Sequence, residues 1–286
     1  MNVKSNKIKD LISFYHECLQ SIYTKDEIHE LIYIAFSFLL KFTREDIHNK
    51  KEESLNQSNL LLLYGIANEL ASKKPIQYIL KEAWFYGDKY FVNEQVLIPR
   101  PETEELVELI CNENTQTALV VVDIGTGSGC IPIAIKKKNP NWLIHAIDVS
   151  FEALVVAKKN AETLHVEVQF HQEDILTLKQ LNNHTFDIIV SNPPYIAKEE
   201  ARTMQSSVVD FEPHLALFVE NANPLLFYDK IADFALINLN KKGKLYFEIN
   251  QRLGKEVQQL LISKGFQEVT LHKDISGNNR MIGAMV

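Results

Sequence analysis

The stretch VVVDIGTGSGC, residues 120–130, decides the fold. Three valines and Ile124 make a short apolar strand, and Gly125, Gly127 and Gly129 follow it directly, before the helical pattern IPIAIKKK. Glycine at this place lets the backbone turn tightly and lets a ligand lie against it. The spacing is G-x-G-x-G, not the G-x-G-x-x-G of dinucleotide folds. Asp123 precedes the turn, where a carboxylate would repel a pyrophosphate but suits a cationic amino-acid head group. Working outward, the apolar runs LIHAID, VEVQFH, FDIIVSN and KLYFEI are of strand length and alternate with helical patterns such as FEALVVAKKNAE. Such alternation predicts a mainly parallel sheet covered on both faces. The tail GFQEVTLHKDISGNNRMIGAMV reads as two strands joined without a helix, so one of them enters antiparallel.

Each strand end carries a polar residue of interest. Asp148 lies 23 residues after Gly125, about where an acid receives ribose hydroxyls. Asp174 is placed to hold an adenine amino group, with Ile175 covering the ring. Thr126 and Ser128 belong to the same turn as the glycines. After the next strand comes SNPPYI, in which Asn192, Pro193, Pro194 and Tyr195 form one stiff arc, because two prolines fix φ in succession and restrict the residues before them. Such stiffness presets the positions of Asn192 and its neighbours, as a ligand site would require.

The remainder sets bounds. At 286 residues the chain is long enough for two domains, and 46% hydrophobic against 23% charged residues is the balance of a chain that buries a sizeable core. The run LIYIAFSFLL is about half the ~20 residues of a membrane span, and the N-terminus has no signal-peptide character, so no membrane association and a cytoplasmic location are expected. Cys18, Cys111 and Cys130 are isolated, and the histidines show no paired ligand spacing, so no metal is expected. A net charge of −7 disfavours a nucleic-acid backbone as main partner. Residues 1–74 read as a helical bundle, with TKDE at Thr24 as a capping box and TREDI at Thr43 as a second helix start. Residues 75–101 read as a β-hairpin linker built from IQYIL, KYFV and QVLI, and residues 102–286 form the α/β domain.

The Asp-x-Gly-x-Gly-x-Gly turn, the acid after the second strand and Asn-Pro-Pro-Tyr after the fourth resemble class I S-adenosylmethionine (SAM)-dependent methyltransferases acting on planar amino groups. With PIQYILKEAWFYGDKYFVNEQVLIPRPETEELV, FEPHLAL and GNNRMI, the resemblance narrows to the bacterial release factor glutamine methyltransferases, from about residue 75 to the end. It implies a Rossmann-like sheet with an antiparallel last strand, SAM as cofactor, and as acceptor the glutamine of the Gly-Gly-Gln loop in class I peptide-chain release factors. For such an acceptor it implies that the Asn192 oxygen and the Pro193 carbonyl each accept one N–H of the amide NH₂ and that Tyr195 packs on its plane. No strong base is then required, because the alkylated nitrogen is acidic enough to lose its proton after transfer. Arg100, Glu102 and Glu104 match a family motif near the cofactor entrance, and they serve equally as helix capping and a linker salt bridge. Lys81 stands where the family has glycine, and Val219–Pro224 replaces a glycine-rich loop. Both departures bear on substrate-side shape. The rival reading is a nucleic-acid adenine methyltransferase, which uses the same motif on a flipped base. The acidic balance and the lack of a basic target-recognition domain weigh against it.

Overall fold

The computed structural model describes residues 3–182, 184–197, 199–200, 206–219 and 223–286. Within them the chain divides into two compact units, one of residues 3–81 with Ser206–Phe211, the other of residues 82–200 with 212–286.

The first unit is helical: α1 (Ile8–Leu19), α2 (Lys25–Leu40), α3 (Arg44–Asn49), α4 (Gln57–Ala71) and α5 (Ile76–Leu80). Its start signals work as read. Thr24 and Glu27 close a reciprocal capping box at α2, and Thr43 and Asp46 do the same at α3, satisfying N–H groups that the first helical turn leaves orphaned. Leu11, Tyr15, Ile32, Phe36, Leu63 and Ala67 pack into its core, where the Tyr15 hydroxyl donates to the Leu63 carbonyl at 2.7 Å. The segment IQYIL is the helix α5, not a strand. Its apolar run is too short for periodicity to separate the two, and Pro75 at the start with left-handed Lys81 (φ 56°) at the end frames one helical turn.

In the second unit, β1 (Ala83–Phe85) and β2 (Asp88–Tyr90) form a hairpin, and α6 (Pro101–Glu113) follows. The QVLI segment expected as a strand pairs with none among the described residues; residues 95–98 are a strap that begins in a turn, where Val96 N–H donates to the Asn93 carbonyl at 3.1 Å, and in which Val96 and Ile98 are buried. Then come β3 (Val120–Ile124), α7 (Cys130–Lys138), β4 (Leu143–Asp148), α8 (Phe151–Thr163), β5 (Gln169–Gln172), β6 (Phe186–Ser191), β7 (Ile196–Ala197), α9 (Ser206–Phe211, in the helical unit), α10 (His214–Leu217), β8 (Phe218–Val219), α11 (Leu226–Asn238), β9 (Leu239–Glu248), α12 (Gly254–Ser263), β10 (Gln267–Lys273) and β11 (Asn279–Met285). Residues 220–222 of the Val219–Pro224 segment lie outside the described residues.

Seven strands make one sheet in the order β10-β11-β9-β6-β3-β4-β5, parallel except that β11 runs antiparallel to both its neighbours. The last strand is therefore the antiparallel one, as the tail predicts. Alternate residues of β3 feed opposite faces: Val121 joins the core under α6 and α7, Val122 and Ile124 the core under α11 and α12. The chain leaves β3 toward β4 and β5, then returns across it to β6. A crevice opens at the carboxyl ends of β3 and β6, where the strand order reverses. Among the described residues no helix is long and apolar enough to cross a membrane.

Candidate active site

Strand register assembles the site. In one row across the sheet, Ile147, Ile124, Ser191 and Phe247 are neighbours on β4, β3, β6 and β9. One residue further toward the carboxyl ends come Asp148, Gly125, Asn192 and Glu248. Residues up to 123 positions apart in sequence thus meet along one edge because parallel strands end together.

The glycine turn is held by Gly125 and Thr126 N–H groups, both donating to the Ile147 carbonyl at 2.9 and 3.0 Å. Gly125 and Gly127 have φ of 74° and 53°, and a Cβ on either would project into open space. Gly129 has a different task. Its φ is 79°, and a Cβ there would stand 3.0 Å from the Ala157 Cβ, so this glycine lets α7 pack on α8. Asn160 of α8 fastens the turn to the strap region, donating to the carbonyls of Ser128 at 2.9 Å and Phe91 at 3.0 Å.

A cleft of about 320 Å³ opens above this turn. Of the residues singled out in the sequence, Gly125, Gly127, Asp148, Asp174, Ile175, Asn192, Pro193 and Pro194 line it. Asp123, Thr126, Ser128, Gly129 and Tyr195 stand behind that lining. Asp148 accepts from Gly127 N–H and Ser150 N–H, each at 2.9 Å; burial raises its pKa and these donors oppose the rise. Asp174 accepts from Leu176 N–H at 2.9 Å.

Asp123 is fully buried, with neither carboxylate oxygen hydrogen-bonded. Burial pushes its pKa up to about 7; the Thr126 hydroxyl beside it opposes the rise without closing a well-formed hydrogen bond.

The Asn192 side is built from side chains. Asn192 Nδ2 donates to Thr103 Oγ1 at 3.3 Å, Thr103 donates to Glu248 at 2.6 Å, and the Tyr195 hydroxyl donates to the other Glu248 oxygen at 3.2 Å. Ser191 donates to the Ile124 carbonyl at 2.7 Å and so ties the end of β6 to that of β3. Two further walls were not read from the sequence. Val96 and Leu97 of the strap and Pro213–Ala216 also line the cleft, and Glu212 joins them, accepting from Ile98 N–H at 3.2 Å and pairing with Arg100. Arg100 thus closes a wall, while Glu104 accepts from Tyr86 N–H at 3.0 Å. Glu248 is visible in the sequence as an acid at a strand end, but its role there stays open between the site and a structural salt bridge or cap.

Against known proteins, residues 102–211 match the methyltransferase small domain family. A release factor glutamine methyltransferase of Flavobacterium psychrophilum is 46% identical over 279 residues, covering 96% of this chain and 98% of that protein. The chain belongs to the release factor glutamine methyltransferase family. A second relative of that name, from Bacteroides thetaiotaomicron, is 40% identical over 274 residues, with 96% of this chain and 98% of the relative covered. The fold alone is shared with a methyltransferase from Pyrococcus furiosus, at a TM-score of 0.50 and 18% identity over 68% of this chain and 87% of that one. The catalytic domain of hMettl16, solved with an RNA hairpin, gives a TM-score of 0.53 at 16% identity, covering 82% of this chain and 83% of that one. The enzyme is therefore a SAM-dependent protein-glutamine N-methyltransferase by family.

Proposed function

We propose that the cleft binds SAM against the glycine turn, and that Asn192, Pro193 and Tyr195 hold the glutamine amide of a class I release factor for methylation. The residues fit the cofactor on two counts. The Asp123 carboxylate is buried without a partner, as suits a site completed by a cation, and Gly125 and Gly127 leave open the space that a Cβ would occupy. Asp148 and Asp174 supply acceptors for ribose hydroxyls and an adenine amino group, and Ile175 an apolar cover. When bound, SAM supplies a methyl on a positively charged sulfur, an electrophile that needs only an aligned nucleophile.

Alignment is the contribution of this chain. A glutamine nitrogen is a poor nucleophile because its lone pair is delocalised into the carbonyl. The Asn192 oxygen and Pro193 carbonyl accept its two N–H groups and favour the positive charge that develops on nitrogen. Tyr195 borders the amide plane. Orientation of this kind accounts for roughly 7–11 kcal/mol of a barrier in favourable cases. The alkylated nitrogen is acidic enough to lose its proton to water afterwards.

One observation carries the proposal: Asp148, Gly125 and Asn192 stand in register on adjacent strand ends, so cofactor groups and acceptor group share one edge. The helical unit, with residues 1–74, is proposed to recognise the release factor, in the cytoplasm where translation terminates. Leu61 and Leu62 of α4, about half exposed at 50% and 54%, are suited to that contact. The experiment is incubation with SAM and either a purified class I release factor or duplex DNA, read by peptide mass mapping. A single methyl on the Gly-Gly-Gln glutamine is expected. Methylated adenine in the DNA would move the assignment to the nucleic-acid rival.

A further inference from the structure

The Asn192 side chain has two unlike ends, and the reaction distinguishes them. Its oxygen can accept an N–H of the substrate amide; its NH₂, facing the same group, would set donor against donor. Nothing in the Asn-Pro-Pro-Tyr segment selects between orientations related by half a turn. The selection comes from elsewhere in the chain. Glu248, 1% exposed at the end of β9, is an acceptor when ionised, and one of its oxygens lies 2.6 Å from Thr103 Oγ1. The single Thr103 proton is committed to that carboxylate, so the Thr103 oxygen can only accept, and the group it accepts from, at 3.3 Å, has to be the Asn192 NH₂. The Asn192 oxygen is left for the substrate. The other Glu248 oxygen holds the Tyr195 hydroxyl at 3.2 Å, and Asn250 Nδ2 donates to the Tyr195 carbonyl at 3.4 Å.

Resting on the glutamine reading above, we propose that Thr103 and Glu248 are positioning residues that lock the Asn192 amide oxygen-first toward the substrate and fix the ring of Tyr195. Neither touches the reacting atoms; both act through residues that do. The titratable and charged groups facing Glu248 among the described residues are Tyr195, Tyr228 of α11, Arg280 of β11, Glu102 of α6 and the Cys130 thiol of α7. Burial raises the Glu248 pKa, while Thr103, the positive charge of Arg280 and Tyr195 oppose the rise. On protonation Glu248 becomes a donor, Thr103 is freed to donate to the Asn192 oxygen, and the lock reverses. The transfer rate therefore falls as pH falls through the Glu248 pKa, above the ordinary carboxylate range.

The test uses the full chain with Thr103→Val, which keeps the shape and removes the hydroxyl, and Thr103→Ser, which keeps the hydroxyl. Exchange of the Asn192 side-chain amide protons is followed by nitrogen-15 NMR, with Asn192→Ala identifying the resonance; this readout needs no release factor. Exchange is expected to speed up in Thr103→Val, with kcat roughly ten- to a hundredfold lower and KM for SAM within about twofold, as for a lost buried partner acting on orientation. Thr103→Ser should restore both readouts. Unchanged amide exchange in Thr103→Val, equal kcat losses in the two variants, or a Thr103→Val kcat within about twofold of the parent would overturn the lock. Faster exchange in Thr103→Val, with a parent that methylates no release factor, would support the lock and reject the glutamine reading.

Discussion

Asp123 and Glu248 are both carboxylates sealed beneath the same sheet edge, yet they are provided for in opposite ways. Glu248 receives hydroxyl donors on both oxygens and faces Arg280; Asp123 has no hydrogen-bond donor on either. A buried charge without partners costs the folded state several kcal/mol in real proteins, so such a group is kept where a ligand completes it. Glu248 is completed by the protein, and on the reading proposed above it organises the orientation of Asn192. Asp123 is the group that the same reading completes with the cofactor's cation. On that reading one half of the site is finished before any ligand arrives, and the other half by the cofactor.

The comparison can be broken at several points. Asn192→Ala removes the substrate acceptor on the finished side, and single-turnover transfer with SAM prebound should fall by roughly two to three orders of magnitude, as for loss of one preorganised transition-state partner. A fall under about threefold would remove Asn192 from the reaction. On the cofactor side, Asp148→Ala should weaken SAM binding by roughly 1.5–3 kcal/mol, read by calorimetric titration, while thermal unfolding shows the sheet intact. Unchanged affinity would take Asp148 out of the cofactor site. Asp123→Asn should weaken SAM binding yet raise the melting temperature of the ligand-free protein above pH 7. The sign follows from linkage: the folded-state pKa of about 7 lies above the ordinary carboxylate value, so this group's stability contribution is lost as pH rises between them. A lower melting temperature for the variant at pH 8 would contradict an unpartnered Asp123. The smallest effect lies away from the site. Lys81 adopts φ 56° at the end of α5, a conformation that glycine takes without Cβ strain, so Lys81→Gly should stabilise the protein by about 1 kcal/mol in chemical denaturation.

How much of this was legible follows the same division. The glycine turn and Asp148 are local features: residues contiguous in sequence make a strand, a turn and a helix start, and the rule that ligands lie at strand carboxyl ends places them. The Thr103–Glu248–Tyr195 cluster is not local. Thr103 lies in the first turn of α6 and Glu248 at the end of β9, and only the register of β6 beside β9 brings Glu248 next to Asn192. The strap at residues 95–98 reads as a strand because VLI is a short apolar run with a β-branched residue at each end, but Ile98 N–H is satisfied by the Glu212 side chain instead of a ladder partner. IQYIL is misread for another reason, since a run of five residues is too short to show a period.

The division between the two carboxylates is tested most directly by the protons exchanged when SAM binds. At pH 6.5 the ligand-free Asp123, with a pKa of about 7, is largely protonated, and a bound cation should drive it to the carboxylate. The α-amino group of SAM is already charged at that pH, since even the α-amino groups of peptides titrate at about 7.7–8.0, so it adds little. Calorimetric titration in buffers of different ionisation enthalpy is expected to show release of a large fraction of one proton per SAM bound in the parent, diminishing toward pH 8, and none in Asp123→Asn. Equal proton exchange in the parent and in Asp123→Asn would show that Asp123 is not the group awaiting the cation.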